Sequence, residues 1–244
     1  MPIIYLSPST QEFNPYNGGG NEEQYMNLVA DAMEPYLAAS GINYVRNTPD
    51  MTAASSIAAS NKGNYDLHLA LHSNATGSGD GSRRGSEVYY YPTSIKGKRF
   101  ADILAKNLKL IYPIPQNVKT VPTASLGEVR RVKAPGVLVE IAYHDNREDA
   151  DWIKQNIEAI AATIVYSLTE YFYIPFNTPQ PIFTASVATQ GSNLNVRYNP
   201  STEAVVVGKI PNGAEVTVFA VLGDWALVSY MSTTGYVNRR YLQY

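Results

Sequence analysis

Two of the three histidines in this 244-residue chain, His68 and His72, lie in one apolar segment, YDLHLALHSNA. Histidine can ligate a metal ion or transfer a proton near neutral pH. On a strand, residues four apart share a face but lie ~13 Å from each other, whereas two nitrogens on one zinc ion lie within ~4 Å. The two histidines therefore cannot chelate one metal together. His72 ends the predicted strand, where α/β sheets bind ligands, and is the better ligand candidate. His68 is predicted to be a hydrogen-bonded core residue.

Glu140 is the second candidate, because it ends the apolar run GVLVE. A carboxylate in an otherwise apolar strand is costly to bury unless another group pairs with it. If this strand and the histidine strand are parallel, Glu140 and His72 lie at the same edge of the sheet. The alternative is that Glu140 only marks the point where the strand reaches solvent.

Predicted strands and helices, which must position these residues, alternate along the first 173 residues. Short apolar runs, predicted as strands, are separated by segments of helical periodicity. This alternation predicts an α/β fold with a mostly parallel sheet flanked by helices. The predicted strands cover residues 3–6, 42–45, 65–72, 88–91 and 136–141. One long polar stretch, 113–135, shows little pattern.

The composition changes after Tyr173, and we predict a domain boundary there. Residues 174–183 contain three prolines and are predicted to form a semi-rigid linker. Residues 184–244 contain short β-rich runs separated by Gly and Asn turns, which predicts a small all-β barrel. The α/β part is accordingly placed at 1–173 and the barrel at 184–244.

Three segments, YDLHLALHSNA, GSEVYYY and APGVLVEIAYHDN, resemble the zinc-dependent N-acetylmuramoyl-L-alanine amidases, which hydrolyse peptidoglycan. The resemblance covers residues 1–173 in order and spacing. It implies one zinc ion, a metal-assisted amide hydrolysis, and His72 as a zinc ligand. It also implies Glu140 as the catalytic carboxylate, Glu23 as a second zinc ligand with Glu22 as the fallback, and Arg130 near the substrate.

One departure from the family pattern concerns the first metal ligand. The family has a histidine in a Gly-His pair at the end of strand one, whereas this chain has Ser7-Pro8-Ser9. His144 is the remaining histidine that could replace this ligand. The alternative is that His144 is a surface loop residue with no role in metal binding. Gln11 or Glu12 could also approach as oxygen donors, but a neutral amide oxygen suits zinc poorly.

The C-terminal part resembles a bacterial SH3-like domain in the segments SNLNVRYNPSTEAVVVGKIPNGAEVTV, GDWALVSY and TGYVNRRYL. Such domains typically bind cell-wall material, which implies peptidoglycan as a partner. The alternative is that Trp225 and Tyr236 are core aromatics of the barrel, which is the favoured interpretation for Trp225.

Composition limits the other partners. The formal net charge is −2, which does not suggest nucleic-acid binding. No run approaches the ~20 apolar residues of a membrane helix, so no membrane partner is expected. The first residues do not form a signal peptide, although action outside the cell or in the cell wall is expected.

The leading hypothesis is thus a lysin or autolysin with amidase activity. A non-catalytic wall-binding protein, whose metal site decayed with the lost histidine, is the alternative. A metal-free glycosidase using Glu23 and Glu140 fits less well, because it leaves His72 without a role.

Overall fold

The computed structural model of the protein describes residues 1–198, 200–231 and 233–244. The chain forms two compact units. The first contains Met1–Met33 and Ile42–Phe176, and the second contains Glu34–Gly41 and Asn177–Tyr244.

The first unit is built on a six-stranded sheet. Its strands are β1 (Ile3–Pro8), β2 (Asn43–Arg46), β3 (Leu67–Asn74), β4 (Ser86–Tyr90), β5 (Val118–Pro122) and β6 (Gly136–Tyr143). The helices are α1 (Glu22–Ala39), α2 (Ala53–Ser60), α3 (Ile95–Leu108), α4 (Gly127–Arg130), α5 (Arg147–Gln155) and α6 (Ile157–Phe172). The strand order is β2-β1-β3-β6-β4-β5.

Every neighbouring pair in this sheet is parallel except β4 with β6, which are antiparallel. The predicted α/β class with a mostly parallel sheet is therefore confirmed. Strands β3 and β6 lie next to each other in the middle of the sheet and are buried along nearly their whole length. Their near-continuous apolar sequences are typical of parallel strands covered on both faces.

The polar stretch 113–135, which shows no pattern in the sequence, contains both the edge strand β5 and the four-residue helix α4. Helix α4 is too short for helical periodicity to reveal it, because it makes barely one turn. It packs near the amino end of β6 and carries one carboxylate, Glu128, into the interior.

The second unit is an antiparallel β domain, as predicted. Its strands are β7 (Phe183–Val187), β8 (Leu194–Arg197), β9 (Val206–Ile210), β10 (Glu215–Leu222), β11 (Trp225–Tyr230), β12 (Thr233–Asn238) and β13 (Leu242–Gln243). The order in the sheet is β13-β7-β10-β11-β12-β8-β9. Alternating side chains form its own apolar core, which includes Val196, Ile210, Val218 and Val228.

In the part of the chain that the structure describes, no helix has both the length and the apolar character needed to cross a membrane.

Candidate metal centre and catalytic carboxylate

His72 and Glu140 are direct neighbours across two parallel strands. The register of β3 with β6 pairs His72 with Glu140, near the carboxyl ends of both strands. Strand β1 borders β3 on the other side, and its last residues, Ser7 and Pro8, reach the same edge. The sequence predicted that His72 and Glu140 lie at the same edge of the sheet, and this geometry agrees with that prediction.

Both ring nitrogens of His72 contact carboxylates. Its Nδ1 lies 2.8 Å from Oε1 of Glu22, and its Nε2 lies 3.1 Å from Oε2 of Glu128. Burial lowers the pKa of His72, but the two carboxylates outweigh burial and raise this pKa well above its usual value. The hydrogen bond from His72 likewise lowers the pKa of Glu22, although burial alone would raise it.

Glu22 reaches His72 because it is the first residue of α1. The unsatisfied N–H groups and the dipole at a helix N-terminus favour a carboxylate there. Its side chain is buried, and Asn14 in the preceding loop donates a hydrogen bond of 2.7 Å to Oε2. The backbone and its neighbours therefore hold Oε1 of Glu22 towards the His72 ring.

Glu128 joins the two histidines that the sequence places on one strand face. Its Oε1 lies 3.3 Å from Nε2 of His68, while its Oε2 contacts His72. Ser7 also donates to Oε1 of Glu128. Burial raises the pKa of Glu128, but the hydrogen bonds from His68 and His72 hold it far below its usual value. A carboxylate on Nε2 leaves Nδ1 of His72 as the nitrogen for a ligand, an arrangement common in metal sites.

His68 is the buried, hydrogen-bonded core residue that the sequence predicts. It has no exposed surface, and its Nδ1 lies 3.0 Å from Oγ of Ser60. Its ring stacks on Tyr5 at a centroid distance of 5.3 Å. His68 thus supports Glu128 from the interior and lies away from the solvent side of the site.

The first loop brings one more polar group to the edge. Nε2 of Gln11 lies 3.2 Å from Nδ1 of His72 and donates a hydrogen bond of 3.5 Å to Oε1 of Glu22, while Oε1 of Gln11 accepts a hydrogen bond from Asn14. Which amide atom faces the ring is assigned from the hydrogen-bond network, since nitrogen and oxygen have the same shape. Gln11 would offer a metal its oxygen only after its amide turns, because the NH2 group faces His72 and Glu22 in the structure.

Glu140 is held ready to exchange a proton. Burial raises its pKa to about 7, with the charge of His72 opposing and the charges of Glu22 and Glu87 assisting this shift. None of the described residues hydrogen-bonds its buried Oε2. A carboxyl group with a pKa near the working pH can both accept and return a proton.

Two residues implied by the family resemblance lie elsewhere. Glu23 is partly exposed, and burial together with the charge of Glu12 raises its pKa. Its neighbour Glu22 occupies the place beside His72. Arg130 is exposed and lines a cavity with Gly136, at the end of β6 opposite to Glu140. The structure brings neither Glu23 nor Arg130 into contact with His72.

His144 is buried, and its imidazole contacts Ser73 and not the ring of His72. Its Nδ1 lies 2.8 Å from the backbone oxygen of Ser73 and 2.9 Å from its Oγ. Its ring stacks on Tyr16 at 5.2 Å, and Tyr16 donates a hydrogen bond to the same Oγ. His144 is therefore not a surface loop residue. It also does not lie beside His72 and Glu22, where it could replace the missing first metal ligand.

The site offers two strong donors to a divalent metal ion, Nδ1 of His72 and Oε1 of Glu22. Two atoms that bind zinc at ~2.1 Å in tetrahedral geometry lie ~3.4 Å apart. Oε1 of Glu22 and Nδ1 of His72, which are 2.8 Å apart, are close to this separation. Within residues 1–198, 200–231 and 233–244, no three His, Cys, Asp or Glu side chains are grouped to hold a metal.

Comparisons with known proteins identify the families of both parts of the chain. The model of the N-acetylmuramoyl-L-alanine amidase family matches residues 10–170, and that of the bacterial SH3 domain matches residues 192–243. N-acetylmuramoyl-L-alanine amidase LytC of Bacillus subtilis (strain 168) is 32% identical over 163 residues. That match covers 64% of this chain and 32% of LytC, so the chain spans about a third of this curated relative.

Solved structures show the same fold. N-acetylmuramoyl-L-alanine amidase AmiC2 of Nostoc punctiforme superposes with a TM-score of 0.62 at 18% identity, covering 70% of this chain and 97% of AmiC2. The catalytic domain of the CD27L endolysin targeting Clostridia difficile gives a TM-score of 0.57 at 24% identity, covering 70% and 97%. With its sheet, its paired His72 and Glu140, and the match over residues 10–170, the chain belongs to the N-acetylmuramoyl-L-alanine amidase family.

Proposed function

We propose that the chain hydrolyses the amide bond between the lactyl group of N-acetylmuramic acid and the L-alanine of the stem peptide in peptidoglycan. The observation that carries this proposal is the pairing of His72 with Glu140 at one edge of the sheet, with Glu22 on the ring of His72. Family membership over residues 10–170 supports the same reaction.

We propose zinc as the metal, held by Glu22 and His72, with Oε1 of Gln11 as a third donor once its amide turns towards the site. Zinc accepts imidazole nitrogen and carboxylate oxygen, which are the two strong donors at this site. When bound, zinc would activate a water molecule and polarise the scissile carbonyl.

The protein's own part in the reaction is proton transfer and positioning. Glu140 would accept the proton of the attacking water and return it to the leaving amine of L-alanine, a role that its pKa of about 7 suits. Glu128 would hold the His72 ring through Nε2, so that Nδ1 points towards Glu22. His68 and Ser7 would in turn hold Glu128 in place.

The SH3 domain is proposed to keep the enzyme on its polymer. Binding through a second domain raises the effective concentration of substrate at the catalytic site without adding catalytic contacts. The match to the bacterial SH3 domain over residues 192–243 supports a role in wall binding. The enzyme would then act outside the cell or in the cell wall.

A non-catalytic wall-binding protein is the second candidate. The observation that favours it is the weak third donor, since an amide stands where the family pattern has a histidine. The same Glu22, His72 and Glu140 would then form a remnant of a metal site.

Digestion of purified peptidoglycan by the full chain tests the proposal. We expect new free amino groups on L-alanine and intact N-acetylmuramic acid residues in the mass spectra of the products, with no new reducing sugar ends. Reducing ends without new amino groups would instead indicate a glycosidase. Binding to the wall without either product would support the non-catalytic candidate.

A further inference from the structure

A small cavity of about 220 Å³ lies one strand away from Glu140 in the first unit. Strand β4 runs antiparallel to β6 and pairs Glu87 with Glu140, so these two side chains lie on the same face of the sheet. Strand β5 continues the sheet and pairs Lys119 with Glu87. Glu87, Lys119 and Tyr143, which follows Glu140 on β6, all line the cavity. The proposed reaction assigns no role to this cavity.

The cavity carries more positive than negative charge. Its described lining residues include three cations, Arg83, Arg84 and Lys119, and one carboxylate, Glu87. Arg84 is already paired, because it donates a hydrogen bond of 2.9 Å to the buried Asp149. Lys119 lies 2.8 Å from Oε1 of Glu87 and keeps two of its three N–H donors for a ligand. Arg83 is exposed, and none of the hydrogen bonds or ion pairs among the described residues involves it.

Glu87 holds Lys119 in place and is not itself available to a ligand. It is only 7% exposed, and its Oε2 accepts hydrogen bonds from Asn74, at 3.3 Å, and from the hydroxyl of Tyr89. Burial raises the pKa of Glu87, but its hydrogen bonds and the nearby cations, foremost Lys119, hold it below its usual value. A carboxylate that stays ionised beside Lys119 fixes the ammonium group at the cavity.

The walls of the cavity are formed before a ligand arrives. The side-chain amide of Asn117 donates a hydrogen bond of 3.1 Å to the backbone oxygen of Arg84. A Cβ atom on Gly85, whose φ is +141°, would lie 2.6 Å from the backbone oxygen of Asn117, so glycine permits this close approach. The start of β4 and the turn before β5 therefore pack against each other. Fixed walls lower the entropic cost of binding a ligand.

The position of the cavity determines which part of the substrate it can reach. In the proposed reaction Glu140 returns a proton to the nitrogen of L-alanine, and the second stem-peptide residue begins one peptide bond further on. Successive α-carbons lie ~3.8 Å apart, so a carboxylate on the second α-carbon lies within ~6 Å of the leaving nitrogen. Neighbouring strands are ~5 Å apart, which is the step from Glu140 to Glu87. The cavity therefore lies at the distance of that carboxylate.

We propose that Arg83 and Lys119 bind the α-carboxylate of the second stem-peptide residue, so that the enzyme prefers stem peptides in which this group is a free acid to those in which it is an amide. This residue is a glutamate joined to the third residue through its γ-carboxyl group, which leaves the α-carboxyl group for recognition. A carboxylate accepts charge-assisted hydrogen bonds from both cations, whereas an amide is neutral. The inference rests on the proposed function and names a specificity of the same site.

Titration calorimetry of the full chain with two dipeptides tests the proposal without requiring turnover. The first is L-Ala-D-Glu with its γ-carboxyl group blocked as a methylamide, and the second has its α-carboxyl group converted to an amide as well. We expect the free acid to bind at least ~10-fold more tightly, since a charge-assisted hydrogen bond contributes this much. Arg83→Gln and Lys119→Gln should each weaken binding of the free acid and leave binding of the amide unchanged.

The matched control is Arg130→Gln. Arg130 is also an exposed arginine of the first unit, but it lies at the opposite end of β6 from Glu140. This variant should bind the free acid as the wild type does. Equal affinity of the wild type for the two dipeptides, no binding of the free acid, or an equal loss in Arg83→Gln and Arg130→Gln would overturn the proposal.

Digestion of peptidoglycan reports on the amidase function separately. A preference for the free acid without release of L-alanine amino groups would contradict only the amidase function. Release of these amino groups without a preference between the dipeptides would contradict only the assignment of Arg83 and Lys119, so the two failures are distinguishable.

Discussion

Replacing Glu140 with glutamine should lower the turnover of peptidoglycan by at least ~100-fold, the contribution of one positioned proton-transfer group. Glutamine has nearly the same shape as glutamate but cannot accept the proton of the attacking water. Because Glu140 does not contact His72 by a hydrogen bond in the structure, zinc content should stay near that of the wild type. Near-normal turnover in this variant would falsify the proton-transfer role.

The same substitution should stabilise the metal-free protein at alkaline pH. Glu140 has a folded-state pKa of about 7, above its ordinary value of 4.5, because burial disfavours the charged form. The native state therefore binds this proton more tightly than the unfolded state, and its stability falls as pH rises from about 4.5 to about 7. Glutamine removes that loss, so the free energy of unfolding at pH 8 should rise by roughly 1–3 kcal/mol.

Chemical denaturation of chelator-treated protein at pH 5 and pH 8 measures this effect. The gain should be larger at pH 8 than at pH 5, where wild-type Glu140 is still mostly protonated in the folded state. A variant that is less stable than the wild type at pH 8 would show that Glu140 is not a buried, weakly compensated carboxylate.

Replacing His72 with alanine should abolish both zinc binding and hydrolysis. His72 is the one imidazole beside Glu22 and Glu140 in the described structure, so its loss leaves a single strong donor at the site. The fold of the metal-free protein should be affected less, since His72 lies at the end of its strand. Metal analysis of the purified variant, together with peptidoglycan digestion, measures both effects.

His68→Ala is the matched control, because the same carboxylate contacts both rings. It removes buried hydrogen bonds to Ser60 and Glu128, which should cost ~1–3 kcal/mol of stability. Zinc content and the specific activity of the folded fraction should survive. Loss of the metal in His68→Ala with retention in His72→Ala would reverse the assignment of the two histidines.

His144→Ala is a second control for the same experiment. The hydrogen bonds of His144 to Ser73 occupy its Nδ1, and its ring stacks on Tyr16. Zinc should therefore be retained, and its loss would identify His144 as a ligand that moves on binding.

The sheet and its functional edge could be predicted from the sequence because the signal was local. The run YDLHLALH reaches His72 and the run GVLVE reaches Glu140, and the strands continue from there only to Asn74 and Tyr143. Parallel pairing of β3 with β6 then brings the two strand ends together. The β runs of the second domain were also predictable, and Trp225–Tyr230 coincides with β11.

The choice between Glu22 and Glu23 depended on tertiary structure. Adjacent residues at a helix start point in directions about 100° apart, and either can satisfy a pattern based on residue spacing. In the structure the first residue of α1 faces the sheet, whereas the second is partly exposed. No local pattern in the segment NEEQYMN distinguishes these two orientations.

Glu128 could not be found by periodicity, because it lies in a four-residue helix within a polar stretch. The sequence contained only an indirect signal for it. Two histidines buried on one strand face require hydrogen-bond partners, since buried polar groups are rarely left without them. That requirement predicts a partner for His68 and His72 but does not say which distant residue supplies it.

The most direct test of the proposed metal centre is the zinc content of two neighbouring variants, Glu22→Gln and Glu23→Gln, in the full chain. The two residues have the same chemistry and adjacent positions, but only Glu22 lies 2.8 Å from Nδ1 of His72. Near-stoichiometric zinc should persist in Glu23→Gln and fall sharply in Glu22→Gln. Equal zinc content in the two variants, or loss in Glu23→Gln alone, would contradict the assignment of Glu22 and His72 as the metal ligands.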